Sequence, residues 1–388
     1  MMKNSIKKIN EFIENKYFTG ASLIVSKNKQ IIFKQHFGLN DVNLKTQFND
    51  KTLFRAYSMT KPLTVIAFLI LVQQNKLNFD TLLEDIFPCF KNQTQLVNQN
   101  SKETQIVNQK ITMHHLLTMT AGMTYHGNKN QTQIETAKFI KDFSSKKDFW
   151  DYETFCNNLS QIPLLFEPGS SWHYGLCLDV ISAVVEKVSQ QKFSQFIEEQ
   201  IFNKLNMLDS GFYVKDKTNE AKIYNWSFDG ENNKLDMIND FNFLFQDIYQ
   251  DTPISLGGAG LITTALDYNK FLNFLLDGKD ENQKQILDFK FIKKMSQDQL
   301  KDLRQYFKWT LNEDYSYGYG VRVRIENESY PKTQIGEFGW DGLLGSTGLV
   351  DPKNKITMNL MLSSKPGHNK MIESEFFDSF YKDVLEIK

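Results

Sequence analysis

Isoleucine and phenylalanine recur at positions 6, 9, 12 and 13 among lysine, asparagine and glutamate, a helical spacing that predicts an amphipathic helix at the start of the chain. Two β-branched and aromatic runs follow, Ala21 to Val25 and Ile31 to Phe37. Joined across Lys27-Asn28-Lys29, they predict a hairpin. After a polar loop, Leu63 to Val72 is continuously apolar and reads as a buried helix ending near Gln73-Gln74-Asn75. Pro62 is tolerated only in a first turn, so that helix should begin near Ser58. Leu77 to Phe90 carries a short element leading to Pro88. Lys91 to Lys110 has almost no large apolar side chains, so it cannot bury enough to fold alone and is expected to be a mobile surface insertion.

Order returns at Ile111 to Leu117, followed by Thr118-Met119-Thr120-Ala121-Gly122 and a second polar stretch, His126 to Lys147. Phe149 to Leu159 is aromatic-rich and helical in pattern, and Glu167-Pro168-Gly169 is a turn. Leu178 to Val188 reads as a helix with apolar positions 178, 181, 184, 185 and 188, and Phe193 to Leu205 as another. Gly257-Gly258-Ala259-Gly260 breaks the chain ahead of a helix at Ala265 to Leu276. Tyr319 to Ile325, Gly336 to Val350 and Ile356 to Leu362 look like strands, and a helix over Met371 to Ile387 closes the chain. Strands at both ends around a helical middle predict an α+β fold. An antiparallel sheet would be built from residues 1–57 and 255–388. A mainly helical layer, 58–254, would be inserted between them and carry polar insertions at 91–110 and 126–147. All of this forms one unit over 1–388.

Composition narrows the classes. Apolar residues at 41% and charged residues at 23% are ordinary for a globular protein, and a net charge of −1 offers nothing to nucleic acid or an anionic membrane. The three cysteines, Cys89, Cys156 and Cys177, form no disulfide framework and no Cys-x-x-Cys pair, which favours a reducing compartment. Met1 to Phe18 lacks the continuous apolar core of a secretory signal, and Leu63 to Val72 is too short to span a bilayer. The expectation is a cytoplasmic protein with no transmembrane segment. Its oligomeric state is not legible.

Ser58 and Lys61 stand three apart, one helical turn on one face. A lysine can take a serine's proton only when desolvation makes it neutral, and the apolar run behind Lys61 supplies that. The same spacing occurs at Ser5, Ser26, Ser144, Ser189, Ser329 and Ser379, in polar, terminal or helix-end surroundings. Context alone leaves open whether Ser58 is a nucleophile or the cap of a core helix. Tyr174, just before a helix, could offer its hydroxyl to a cleft, and a neighbouring ammonium would lower its pKa; packing is the plainer role. Glu167 belongs to its Pro-Gly turn. No Gly-x-Ser-x-Gly elbow or phosphate loop is present, and adjacent His114 and His115 point about 100° apart on a helix, so they cannot share a metal. Gly257 to Gly260 marks a tight backbone approach or turn.

The stretches around Ser58, Tyr174 and Trp340-Asp341-Gly342, in this order, resemble the serine β-lactamase-related family of class C β-lactamases, penicillin-binding DD-peptidases, D-amino-acid amidases and β-lactamase-like carboxylesterases. Leu116 to Gly122, Phe166 to Gly169, Gly258 to Leu261 and Tyr317 to Gly320 extend the resemblance along nearly the whole chain. It implies a β-lactamase/transpeptidase-like fold, Ser58 as acylated nucleophile, Lys61 as base and Tyr174 as proton shuttle. It implies an oxyanion hole of the Ser58 and Leu343 N–H groups, and a substrate-binding role for Trp340, Asp341, Gly342 and Leu176. Leu176 stands where the β-lactamase pattern has Asn, and Trp340-Asp341 where it has Lys-Thr. Loss of that cation disfavours carboxylate substrates. Asp341 could instead face away, because strand side chains alternate. The implied activity is hydrolysis of small esters or lactones with no metal or organic cofactor. The alternatives are hydrolysis of β-lactams or D-amino-acid amides, and a catalytically silent protein that binds a ligand or partner in the same cleft.

Overall fold

A computed structural model describes residues 2–145, 151–214, 216–239, 241, 244, 247–308, 314–329, 331–368 and 371–386. Its first helix, α1 (Lys3–Glu14), buries Ile9 and Phe12 as the spacing requires. Strands β1 (Gly20–Lys27) and β2 (Gln30–Gly38) form the expected hairpin. Its turn residues, Asn28 and Lys29, both have positive φ, as a tight hairpin turn demands.

The C-terminal strands are β3 (Tyr315–Tyr317), β4 (Arg322–Arg324), β5 (Phe338–Asp341), β6 (Thr347–Asp351) and β7 (Ile356–Met361). They join the N-terminal hairpin in a seven-stranded antiparallel sheet of order β2-β1-β7-β6-β5-β4-β3. The first and last parts of the chain thus make one sheet. Two expectations divide further than the pattern suggested. Tyr319 to Ile325 is the second arm of a hairpin that turns at Gly318–Val321, and Gly336 to Val350 is two strands. In both, glycines stand at the fold-back, where Gly320 and Gly345 have positive φ.

Helix α2 (Thr60–Gln73) is apolar all round and buries every residue from Thr60 to Leu71, as a helix through the middle of a core must. Helix α3 (Cys177–Ser189) packs against it, α4 (Ala265–Phe274) covers the sheet at β1 and β7, and α5 (Phe377–Val384) pairs with α1 on the other face.

Two polar stretches are corrected. Residues 91–110 carry a small hairpin, Thr94–Leu96 against Thr104–Ile106, rather than a loose insertion. Backbone bonds between Thr94, Leu96 and Leu164 and a Gln95 side chain bonded to Glu167 at 2.5 Å tie it down, so polar bonds replace apolar burial. Within 126–147, Gln131–Ser144 is a helix that buries Thr132, Thr136, Phe139 and Phe143 at spacings of four, three and four. The middle also contains a hairpin that the pattern did not reveal, Ile223–Phe228 with Asn233–Ile238. Among the described residues no helix is long and apolar enough to cross a membrane.

Candidate active site

Ser58 lies in a 3-10 turn, Tyr57–Met59, that feeds directly into α2. Tyr57 has φ 44°, a left-handed conformation that costs a bulky residue about 1–3 kcal/mol and persists only where packing over-determines it. Tyr57 is packed by Ile223, Leu344 and Phe241. The result is a serine held at the head of a buried helix, not on a loop.

Lys61, one turn on, is fully buried. Its Nζ lies 3.1 Å from Ser58 Oγ, 3.0 Å from Tyr125 Oη and 2.7 Å from the Gly258 carbonyl oxygen. Burial pulls its pKa from the ordinary lysine value down to about 7, although the Asp179 carboxylate pulls it up. The Lys61 amine donates to Ser58 Oγ, Tyr125 Oη and the Gly258 carbonyl oxygen, so loss of one proton would leave a lone pair within reach of the serine hydroxyl. Tyr125 is a site residue that sequence reasoning missed. Its one signal is its place three residues beyond Thr120-Ala121-Gly122.

Tyr174 Oη accepts a hydrogen bond from Trp340 Nε1 at 3.0 Å and is hydrogen-bonded with Ser58, while Lys61 Nζ sits 4.5 Å from its ring centroid. The expected fall in its pKa is corrected. Burial drives it well above the ordinary tyrosine value, and the bonds from Ser58 and Trp340 only partly oppose that. Tyr174 is therefore a neutral phenol, suited to relaying a proton and not to being a standing base.

The four residues assigned to substrate contact have other places. Trp340 is fully buried, so it offers no surface to a substrate and instead points its N–H at Tyr174. Asp341 faces away from Tyr174 into the core, where Arg322 Nη1 donates to its carboxylate at 2.6 Å and Thr347 also bonds to it. Gly342 brings the strand end against the turn that carries Ser58, since a Cβ there would stand 2.7 Å from the Ala56 carbonyl oxygen. Leu176 is buried at the head of α3 within the main core. Ser58 stands just ahead of α2, and Leu343 follows Gly342 in the turn after β5, so their backbones lie on the two sides of the close approach between Gly342 and Ala56.

The remaining signals settle as structure. Gly257 and Gly258 press on α3, where added Cβ atoms would stand 2.6 Å from the Leu178 carbonyl oxygen and 2.5 Å from Asp179 Oδ2. Glu167 accepts from Gln95 and from the Gln109 N–H, His115 closes a capping box with Thr112, and His114 bonds to Tyr319 at 3.0 Å. No cluster of ligands suited to a metal occurs among the described residues.

A sequence model described as Beta-lactamase matches residues 6–376, nearly the whole chain. The chain belongs to the β-lactamase family. Esterase EstB of Burkholderia gladioli is 31% identical over 200 residues, about half of each protein (52% of this chain and 48% of EstB). Lovastatin esterase of Penicillium rubens is 30% identical over 167 residues, 42% of this chain and 40% of that protein. Protein Rv1367c of Mycobacterium tuberculosis is 24% identical over 92% of this chain and 89% of its own length. Among solved structures, EstCE1, described as a hydrolase with promiscuous acyltransferase activity, superposes with a TM-score of 0.82 at 23% identity over 98% of both chains. Simvastatin synthase LovD of Aspergillus terreus gives 0.78 at 18% identity, also over 98% of both. These likenesses identify the β-lactamase/transpeptidase fold, α+β as expected.

Proposed function

We propose that this member of the β-lactamase family is a serine hydrolase that acylates Ser58 and hydrolyses esters or lactones of neutral, apolar acids. The observation that carries the reading is the fully buried Lys61 amine, held 3.1 Å from Ser58 Oγ with a pKa near 7. In the first step the Lys61 lone pair takes the Ser58 proton as Oγ bonds to the ester carbonyl carbon. The N–H groups of Ser58 and Leu343 hold the tetrahedral oxygen, each such donor contributing about 3–4 kcal/mol to transition-state stabilisation. As the carbon–oxygen bond to the leaving group breaks, Tyr174 gives its proton to the departing alcohol and recovers one from Lys61. Water then repeats the sequence on the acyl-enzyme and releases the acid.

Preference for an uncharged substrate rests on what flanks Ser58. Tyr57, Ile238, Phe241, Ala259 and Leu343 form an apolar cluster beside Ser58, the last four partly exposed. The names of the esterase relatives EstB and lovastatin esterase agree with this reading. A fluorophosphonate probe with a panel of p-nitrophenyl esters, a chromogenic cephalosporin and D-amino-acid amides tests it. Wild type should be labelled, Ser58→Ala should not, and ester turnover should exceed the others. Unlabelled wild type, or cephalosporin turnover above ester turnover, refutes it.

A further inference from the structure

One buried ionisable group has no part in the steps above. Asp179 stands in the first turn of α3, fully buried in the run Cys177 to Val185, which is apolar apart from it and Ser182. Its Oδ1 accepts the Gly258 N–H at 2.8 Å, while Oδ2 is buried with no hydrogen-bond partner. A carboxylate oxygen in that state is costly, so its retention calls for a reason. Gly258 also supplies the carbonyl oxygen that receives Lys61 Nζ at 2.7 Å. A Cβ at Gly258 would stand 2.5 Å from Oδ2, so any larger residue there would force the carboxylate to move.

We propose that Asp179 is the positioning residue of the site: through the backbone of Gly258 it aims the Lys61 amine at Ser58, and its unpaired oxygen supplies the counter-charge when that amine takes the serine proton. This rests on the acyl-enzyme reading. The chemistry asks for it. Once Lys61 holds the Ser58 proton it is an ammonium in a dry site, and Asp179 is the carboxylate whose charge favours that ammonium. The other titratable groups around the pair are Tyr125, Tyr174, Tyr152 from the Tyr152–Leu159 helix, and Cys177 from α3 itself. Burial raises the pKa of all four, so each stays neutral and none can replace the carboxylate. Burial likewise lifts Asp179 to about 6, opposed by Lys61 and the Gly258 N–H.

The test is Asp179→Asn, which keeps an acceptor for Gly258 and removes the charge, read as the pH dependence of Ser58 labelling by a fluorophosphonate. Without the anion the lysine is easier to deprotonate, so the acidic limb should move down by roughly one pH unit. The plateau rate should fall about tenfold or more, because the ammonium formed on acylation loses its counter-charge. Asp179→Asn that labels at the wild-type rate with an unmoved limb overturns the proposal, as does a slower rate with the limb unmoved and a lower melting temperature. Failure of wild type to label refutes the acyl-enzyme reading instead. A measurement on wild type needs no substitution. With carboxyl-labelled aspartate, one NMR resonance should titrate near 6 and shift when Ser58 is phosphonylated. No such resonance, or one indifferent to phosphonylation, also overturns the proposal.

Discussion

The sharpest prediction concerns acylation of Ser58 between pH 5 and 10. Lys61 must be neutral to take the serine proton, and full burial brings its pKa to about 7. At pH 6 about one molecule in ten then carries the neutral amine, at pH 7 about half, and at pH 8 about nine in ten. The labelling rate should climb through the acid range, less than tenfold per unit below pH 6 where Asp179 protonates, then bend near 7 and be flat from 8 to 9. A solvent-exposed lysine would give a rate still climbing tenfold per unit at pH 9. The assay is the pseudo-first-order rate of fluorophosphonate incorporation at constant ionic strength, corrected for probe hydrolysis at each pH. Lys61→Arg should remove the limb altogether, because a guanidinium stays charged throughout. A midpoint above 9, or Lys61→Arg acylating within tenfold of wild type, would sink the claim that desolvation makes this lysine the base.

Other outcomes follow from the same geometry. Asp341→Ala strands the fully buried Arg322 and should cost about 3–5 kcal/mol in urea unfolding, whereas Arg322→Met with Asp341→Leu should cost much less. Trp340→Phe removes the N–H that holds Tyr174; one hydrogen bond of about 1 kcal/mol predicts a roughly fivefold lower kcat, with KM unchanged. Gly258→Ala drives a Cβ to 2.5 Å from Asp179 Oδ2 and should slow labelling by about tenfold or more through displacement of the carbonyl that holds Lys61. Glu167→Ala should speed proteolytic cleavage within residues 97–103 at an almost unchanged melting temperature, since the Glu167 carboxylate fastens that hairpin and its neighbour Gln109.

What could be read from the chain follows physical lines. The N-terminal hairpin and the closing helix announced themselves through periodicity, because each buries a stripe of large apolar side chains, and α2 through an unbroken apolar run. The 94–106 hairpin did not, since amide side chains and backbone bonds secure it and such bonds have no period. The Gln131–Ser144 helix was hidden because threonine supplies half of its buried face. At the site, Ser58 and Lys61 were visible as local spacing, and Tyr174 as an aromatic ahead of a helix. Tyr125 and Asp179 meet Lys61 only through tertiary structure. Yet Asp179 left a trace, a lone carboxylate in a run otherwise fit for a core. Asp341 and Trp340 show the opposite error: residues that align with a binding motif sit in the cleft's foundations, not on its floor.

That placement bears on how such a protein could change its substrates. Trp340 and Asp341 are consecutive on one strand, the first bonded to Tyr174 and the second to Arg322. Exchanging them for a cation and a hydroxyl would be a recognition change on one side of the strand and the removal of a buried counter-ion on the other. A lineage moving from neutral esters toward anionic substrates would therefore need Arg322 to change first or together with them. The obstacle to such a switch lies behind the cleft, in a residue that no substrate touches.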